Sequence, residues 1–461
     1  MSTHPTLPPP LQRPTRRRLL QGGGALLAAH PLLRALAQPL PREGPEPPRL
    51  ALLIGNRDYP EGEDLPPIHK NVRDLRTALE KRGFSVDEGL DLDLAQSRAA
   101  VQAFAAKVRA APPDCTALFY FSGHGAQVDA ENLLVAARAN PKARPEVLLR
   151  NSLTLTGDVL GPLPDRPAGL TIAVIDACRT TLRDVARGDG LNQVEAPPGK
   201  LIAFATGAGR PAIAPADDTR HTFYTGSLVK LLETASGEIS FSDLFRLVKY
   251  DVQNTMLNHP LPLLRRFAQF PFIAENTQVR RRLAPRPAPE VVAAAAPPPP
   301  RPRDEAEDFA KLDAALWPAE VARLAEDYLK NHGASPLAGS AIVAREGARE
   351  AVKALASRDV RLFRSAFAPP AEAAGALDEL AKAGRGDKDA AARIARGYGR
   401  RDAGRYEGWL QYATELGNGI AAYELALHYR REAQPLLADR YEKRALDLGY
   451  TPPPSLDNTR K

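Results

Sequence analysis

The chain has 461 residues, 44 of them proline, with 6% aromatic residues and only two cysteines. That length accommodates two or three domains with separate cores, and the prolines assign part of it to linkers. The formal charge is +7, but residues 1–37 hold five arginines and no acid, so the remainder carries +2 and makes no electrostatic case for a nucleic-acid partner.

Residues 1–37 read as an export signal. Thr15-Arg16-Arg17-Arg18-Leu19-Leu20 has the form of a twin-arginine motif, the weakly apolar QGGGALLAA follows, and Ala35-Leu36-Ala37 supplies small residues where a signal peptidase reads. The apolar stretch, broken by His30, Pro31 and Arg34, is too short to span a bilayer. No later segment reaches the roughly 18 unbroken apolar residues of a membrane helix. The expectation is a protein that is periplasmic or secreted, folded before export, with its mature chain starting at Gln38.

Residues 38–48 are a proline-rich spacer. From 49 to 283, short apolar runs (RLALLIG, CTALFYFSG, TIAVIDAC, KLIAFATG) alternate with amphipathic stretches such as NVRDLRTALEKRG, where Val72, Leu75 and Leu79 share a face and Gly83 marks the stop. Nearly unbroken apolar strands are those of a parallel sheet covered on both faces, so this region is expected to be an α/β domain, its mostly parallel sheet flanked by helices. Residues 284–303 (APRPAPEVVAAAAPPPPRPR) read as a stiff linker.

From 304 to 461 the chain turns alanine-rich and helical. Gly386, Ala390, Ala391, Ile394 and Tyr398 recur 31 residues later as Gly417, Ala421, Ala422, Leu425 and Tyr429. Trp409, Ala413, Leu416 and Gly417 recur 32 residues later as Tyr441, Ala445, Leu448 and Gly449. The clearest repeats thus span 386–449, and the period fits an all-α solenoid of helix pairs. They resemble the Sel-type branch of tetratricopeptide-like repeats, which implies protein partners.

Two residues at strand ends carry the chemistry. His124 follows an apolar run in FYFSGHG, and Cys178 closes TIAVIDAC 54 residues later. Open α/β sheets bind ligands at the carboxyl ends of their strands, and a histidine beside a cysteine can generate a thiolate nucleophile and a general acid. Gly123 and Gly125 are expected to allow backbone conformations closed to other residues, with the Gly125 N–H free for a substrate oxygen. Asp176, two positions before Cys178 on an extended strand, is expected to share its face and to meet a substrate cation. Cys115 starts the strand that ends in SGHG, about 26 Å from Cys178 along the strand direction, so a disulfide between them is not expected.

YFSGHG together with IDACR resembles the caspase-like cysteine peptidases, and more closely the bacterial metacaspase or orthocaspase branch. The likeness spans roughly 49–275 and includes ALLIGNRDY, KLIAFATGAG and FYTGSLVKLL. It implies Cys178 as nucleophile, His124 as general acid/base, and the backbone N–H groups of Gly125 and Cys178 as the oxyanion hole. It also implies two pocket acids, Asp176 and Asp74, the latter in HKNVRDL, and hence protein or peptide substrates with arginine or lysine at the cleaved bond. Leu75 departs from the branch, which commonly has a small residue after that acid. No cofactor is expected. A metal site is not supported either, because Asp129, Glu131, Asp158, Asp184 and Asp189 are scattered. RTTLRDVARGDGLNQVEAPPGK, residues 179–200, is expected to form an exposed loop where the chain cuts itself, after Arg187 first and Arg183 second. The rival reading is a catalytically inert caspase-like scaffold that acts through its repeats.

Overall fold

The computed structural model describes residues 46–128, 130–179, 192–207, 212–284, 303–368 and 374–452, and for Cys178 and Arg179 the strand backbone alone. The twin-arginine segment, Arg183, Arg187 and most of the 284–303 linker lie outside these residues.

Among the described residues, eight strands form one sheet: β1 (Arg49–Gly55), β2 (Phe84–Leu90), β3 (Thr116–Val128), β4 (Glu131–Val135), β5 (Ser152–Thr154), β6 (Leu170–Arg179), β7 (Lys200–Phe204) and β8 (Phe272–Asn276). Its main path runs β2-β1-β3-β6-β7-β8, parallel except for β8. The unbroken apolar runs follow from burial on two sides. Leu53, Leu118, Tyr120 and Val174 meet helix α1 (Ile68–Glu80) through Val72, Leu75 and Leu79. Leu52, Phe119, Phe121 and Ile175 meet α2 (Leu94–Ala110) through Val101, Phe104 and Val108. Each such large side chain, fully buried, contributes about 1.5–3 kcal/mol. Gly83, after α1, adopts φ +78°, the left-handed conformation that ends a helix cheaply in glycine.

One expectation needs correcting. His124 does not stand where β3 stops, because the strand runs on through Gly125 to Val128. It outlasts β1, whose last partner pair is Gly55 with Ser122, and β4 then takes the vacated side in antiparallel register, Gly125 opposite Leu134. The apolar pattern ends at Phe121, whereas the hydrogen-bonded ladder does not.

Further helices are α3 (Pro145–Arg150), α4 (Phe223–Thr234), α5 (Phe241–Leu257) and α6 (Pro262–Arg266), then the C-terminal set α7 (Arg303–Ala314), α8 (Pro318–His332), α9 (Ala338–Leu355), α10 (Ala374–Gly384), α11 (Lys388–Tyr398), α12 (Ala403–Glu415), α13 (Gly419–Arg431) and α14 (Pro435–Asp447). The recurrent glycines Gly386, Gly417 and Gly449 each follow a helix and take φ of +79°, +97° and +83°. That left-handed turn explains the recurrence of glycine at these positions.

The C-terminal helices and the sheet domain share one compact unit. They meet at the outer edge of β8. There the Glu275 N–H donates to Asp389 Oδ2 at 3.1 Å, and Arg393 Nη1 donates to the Glu275 carbonyl at 2.8 Å. Asp389 and Arg393, one turn apart on α11, supply the acceptor and donor that a neighbouring strand would have offered. An exposed edge is thereby closed.

Candidate active site

The β3–β6 register sets Ser122 beside Asp176, Gly123 beside Ala177, His124 beside Cys178 and Gly125 beside Arg179. Strands in a sheet lie about 4.7–4.9 Å apart, so the backbones of His124 and Cys178 are nearest neighbours across the ladder. Cys115 lies at the opposite end of β3, just before Thr116, which pairs with Leu170; it is buried and free.

His124 is 7% exposed, and its Nε2 lies 2.8 Å from the carbonyl oxygen of Glu63. A carbonyl only accepts, so Nε2 carries the proton and Nδ1 holds the lone pair. Nδ1 is buried without a hydrogen-bond partner among the described residues. Burial pushes the imidazole pKa down, the Glu63 carbonyl opposing it, so the ring is neutral near pH 7 with Nδ1 ready to take a proton. The loop that brings Glu63 here is tied by Leu65 N–H to the Arg57 carbonyl at 3.0 Å and by Tyr59 N–H to Asp64 Oδ1 at 2.7 Å. The Glu63 carboxylate pairs with Lys142.

Tyr59 holds the histidine from the other side. Its ring meets the imidazole edge-on, with centroids 4.5 Å apart. Its hydroxyl accepts the His124 N–H and donates to the Val135 carbonyl, both at 3.1 Å. A Cβ on Gly123 would stand 2.7 Å from that hydroxyl and 2.9 Å from Phe121 Cζ. Glycine is needed at 123 for room. The conformational freedom expected from sequence is not the reason, since the residue lies in a regular strand.

Asp176 is 3% exposed. Thr222 and Thr225, at the start of α4, each place Oγ1 2.5 Å from its Oδ2. Both hydroxyls donate to the carboxylate and are supplied in turn: Asn71 Nδ2 donates to Thr222 Oγ1 at 3.1 Å, and the Tyr120 hydroxyl to Thr225 Oγ1 at 2.7 Å. Burial pushes the Asp176 pKa up, with the two threonines pulling it back. Among the described residues no cation pairs with this acid.

Asp74 differs. Its carboxylate, 29% exposed on α1, receives Lys70 Nζ at 2.6 Å and His221 Nε2 at 2.9 Å, with Arg73 Nε at 3.5 Å. Partial burial acts upward on its pKa, but the hydrogen bonds from Lys70 and His221 outweigh it and hold the acid below its ordinary value. Asp74 and Asp176 contact consecutive residues, His221 and Thr222, so the approach to α4 links them, yet only Asp176 lacks a cation. Sequence reasoning missed Tyr59, Asn71, Thr222 and Thr225. ALLIGNRDY contains the first, and FYTGSLVKLL starts one residue after Thr222 and contains Thr225, but nothing local marks them as partners of His124 and Asp176.

Fold and site together define an α/β protein with a candidate Cys–His pair on adjacent parallel strands and, two residues before the cysteine, a buried acid that no cation pairs among the described residues. Residues 48–282 match the family model described as the caspase domain, and the chain belongs to that family, whose members are cysteine peptidases. No curated protein matches the chain. Among solved structures, caspase-1 from Spodoptera frugiperda aligns at 18% identity over 54% of this chain and 96% of its own, with a TM-score of 0.37.

Proposed function

We propose that the protein is an exported cysteine endopeptidase of the bacterial metacaspase type that cleaves after arginine or lysine. The observation that carries the specificity is Asp176, a buried carboxylate that among the described residues is met by neutral groups of Thr222 and Thr225 and by no cation. A substrate guanidinium or ammonium would supply the missing charge, and a guanidinium could do so bidentately. Asp74, already matched by Lys70 and His221, would contribute at longer range.

In this reading His124 Nδ1 takes the Cys178 thiol proton, and the sulfur attacks the scissile carbonyl carbon. The oxyanion is held by the N–H groups of Gly125 and Cys178, each such donor being worth roughly 3 kcal/mol. The tetrahedral adduct collapses to a thioester as the C–N bond breaks, and the imidazolium gives its proton to the leaving amine. Water, deprotonated by His124, then attacks the thioester, releasing the carboxylate and restoring the thiol. Neutral His124 with Nδ1 unprotonated supports the first step.

The C-terminal helices, read as Sel-type repeats, would recruit protein partners or substrates, and the twin-arginine segment would direct the chain out of the cytoplasm. A thiol-reactive peptidyl-arginine probe tests the catalytic reading. Labelling of the wild-type protein that is lost in Cys178→Ala supports it, whereas labelling that survives the substitution, or a preference for aspartyl probes, overturns it. For export, Arg16→Lys with Arg17→Lys should trap the precursor in the cytoplasm.

A further inference from the structure

The repeat glycines do more than end helices. Gln193, 7% exposed, is seated among them. Its Oε1 accepts the Gly419 N–H at 2.9 Å, and its Nε2 donates to the carbonyls of Gly417 at 3.1 Å and Leu448 at 2.7 Å. Its backbone N–H donates to the Gly449 carbonyl at 3.1 Å. Gly417 and Leu448 lie just beyond the C-termini of α12 and α14, where helix carbonyls lack partners, and Gly419 opens α13, where N–H groups lack them. One carboxamide, with one acceptor and two donor hydrogens, meets all three. A carboxylate would turn an oxygen toward two carbonyls.

The neighbouring residues are also gripped. Asn192 Oδ1 accepts the Thr451 N–H at 2.9 Å, and its Nδ2 donates to the carbonyls of Thr451 and Ala130, both at 3.2 Å. Glu195 pairs with Arg396. Val194 and Ala196 turn the opposite way, into the sheet core beside β6 and β7. From Gln193 to Ala196 the segment alternates as an extended strand does, Gln193 and Glu195 to the repeats and Val194 and Ala196 to the peptidase sheet, while Asn192 bridges the two through Thr451 on one side and Ala130 and Asn132 on the other.

We infer that the C-terminal repeats carry a binding site for an extended peptide of the pattern Asn-Gln-x-Glu, which this chain fills in cis with Asn192–Glu195. The site comprises Gly417, Gly419, Leu448–Thr451 and Arg396. The bound segment leads from the catalytic strand β6 into β7, so the repeats brace one flank of the site. A partner carrying the same pattern would compete for this face and release the brace. The binding site is independent of the catalytic reading, and only the effect on hydrolysis rests on it.

The test uses full-length protein and a fluorescent peptide of residues 188–197, GDGLNQVEAP. Gln193→Glu vacates the site, and the peptide is expected to bind this variant at least about tenfold more tightly than wild type, whose site is filled. The peptide with glutamate at the glutamine position should bind neither. Equal binding to both proteins, or none to a variant whose melting curve shows it folded, overturns the inference. Should Gln193→Glu not fold, hydrogen exchange on wild type decides. Protected amides at Gln193 and Gly419 that exchange faster in excess peptide support the site, and fast exchange without peptide overturns it. Peptide binding as expected with no probe labelling of Cys178 would keep the site and end the peptidase reading. Where both hold, Gln193→Glu should also lower arginyl-peptide hydrolysis by about tenfold.

Discussion

Thr222 Oγ1 donates to Asp176 Oδ2 across 2.5 Å, and Thr225 repeats the contact on the same oxygen. The buried acid is thus solvated by hydroxyls, and among the described residues no cation matches its charge. An asparagine oxygen can accept both bonds, so Asp176→Asn isolates the charge. We expect hydrolysis of arginyl peptides to fall roughly tenfold to a hundredfold in kcat/KM, the value of one charge-assisted contact. Stability should move the other way. Burial raises the Asp176 pKa in the folded state, so its contribution is greatest below the ordinary carboxylate value and is lost as pH rises through the folded value. The melting advantage of Asp176→Asn over wild type should therefore grow from pH 4 toward neutrality. An advantage that shrinks over that range would contradict the unmatched-charge account.

The crowding of Gly123 against Tyr59 makes a double-variant test. Gly123→Ala would place a methyl 2.7 Å from the Tyr59 hydroxyl and displace the ring that orients His124. Tyr59→Phe alone takes the hydroxyl from the His124 N–H and leaves the Val135 carbonyl with Asn56 Nδ2 alone, at a cost of about 1–3 kcal/mol. Combined, the two substitutions should be less damaging than their sum, because phenylalanine lacks the clashing oxygen. Urea unfolding of all four proteins measures the coupling. Simple additivity would mean that Gly123 is held for another reason.

His124 sets the acid side of the pH profile. Burial lowers its pKa, so arginyl-peptide kcat/KM should keep its plateau below the ordinary histidine value of about 6.5 before falling. The same depression contributes stability above the ordinary value that is lost as pH falls through the folded value. His124→Gln should flatten that part of the stability–pH curve while abolishing turnover. An acid limb in kcat/KM at or above pH 6.5 would count against a buried neutral imidazole.

The strands that sequence revealed are those covered on both faces. RLALLIG, LFYF, TIAVI and KLIAF are apolar without a break because helices lie above and below them. β8 was missed since its FIAEN carries Glu275, whose carboxylate is buried against Arg246, Ser242 and Thr277 instead of facing solvent. Within the candidate site, the adjacency of His124 and Cys178 followed from where two apolar runs end, although the β3 ladder continues past His124 to Val128. The Thr222–Asp176 contact bridges 46 residues, and Tyr59 reaches back 65 residues to His124, distances over which no local pattern operates. Asp74 shows the opposite case: its position in the helix was foreseeable, but its pairing with Lys70 and His221 was not.

Arg246 joins the two parts of the molecule. Its guanidinium is 2.7 Å from Glu275 and 3.0 Å from Asp387, both almost fully buried. Burial acts upward on the two acids, yet Arg246, with Ser242 and Thr277 at Glu275 and with Arg393, the Ala390 N–H and Lys382 at Asp387, holds them below their ordinary values. Arg246→Met leaves two buried carboxylates facing each other and should cost about 3–5 kcal/mol in denaturant unfolding. Wild type draws this stability above the ordinary carboxylate range and loses it as pH falls through the folded values. The variant should instead gain stability on mild acidification, which a pH series of unfolding midpoints will show or refute.

Self-processing is the last expectation. Arg183 and Arg187 lie five and nine residues after the proposed nucleophile Cys178 and before the anchored Asn192, and glycine at 188 lets an extended backbone enter a cleft. Purified mature protein should cut after Arg187, with Arg183 the secondary position, and Cys178→Ala protein should remain whole. The cut should not part the fragments. β6 lies upstream of it and β7 downstream, and they pair over five register positions from Thr171 with Lys200 to Ile175 with Phe204, while Asn192 and Gln193 stay seated on the C-terminal helices. Mass mapping after incubation, followed by size-exclusion chromatography without denaturant, reads both parts. Fragments ending at Arg187 or Arg183 that co-elute support the arrangement. An uncut chain that still hydrolyses arginyl peptides would remove self-processing and leave the catalytic assignment standing.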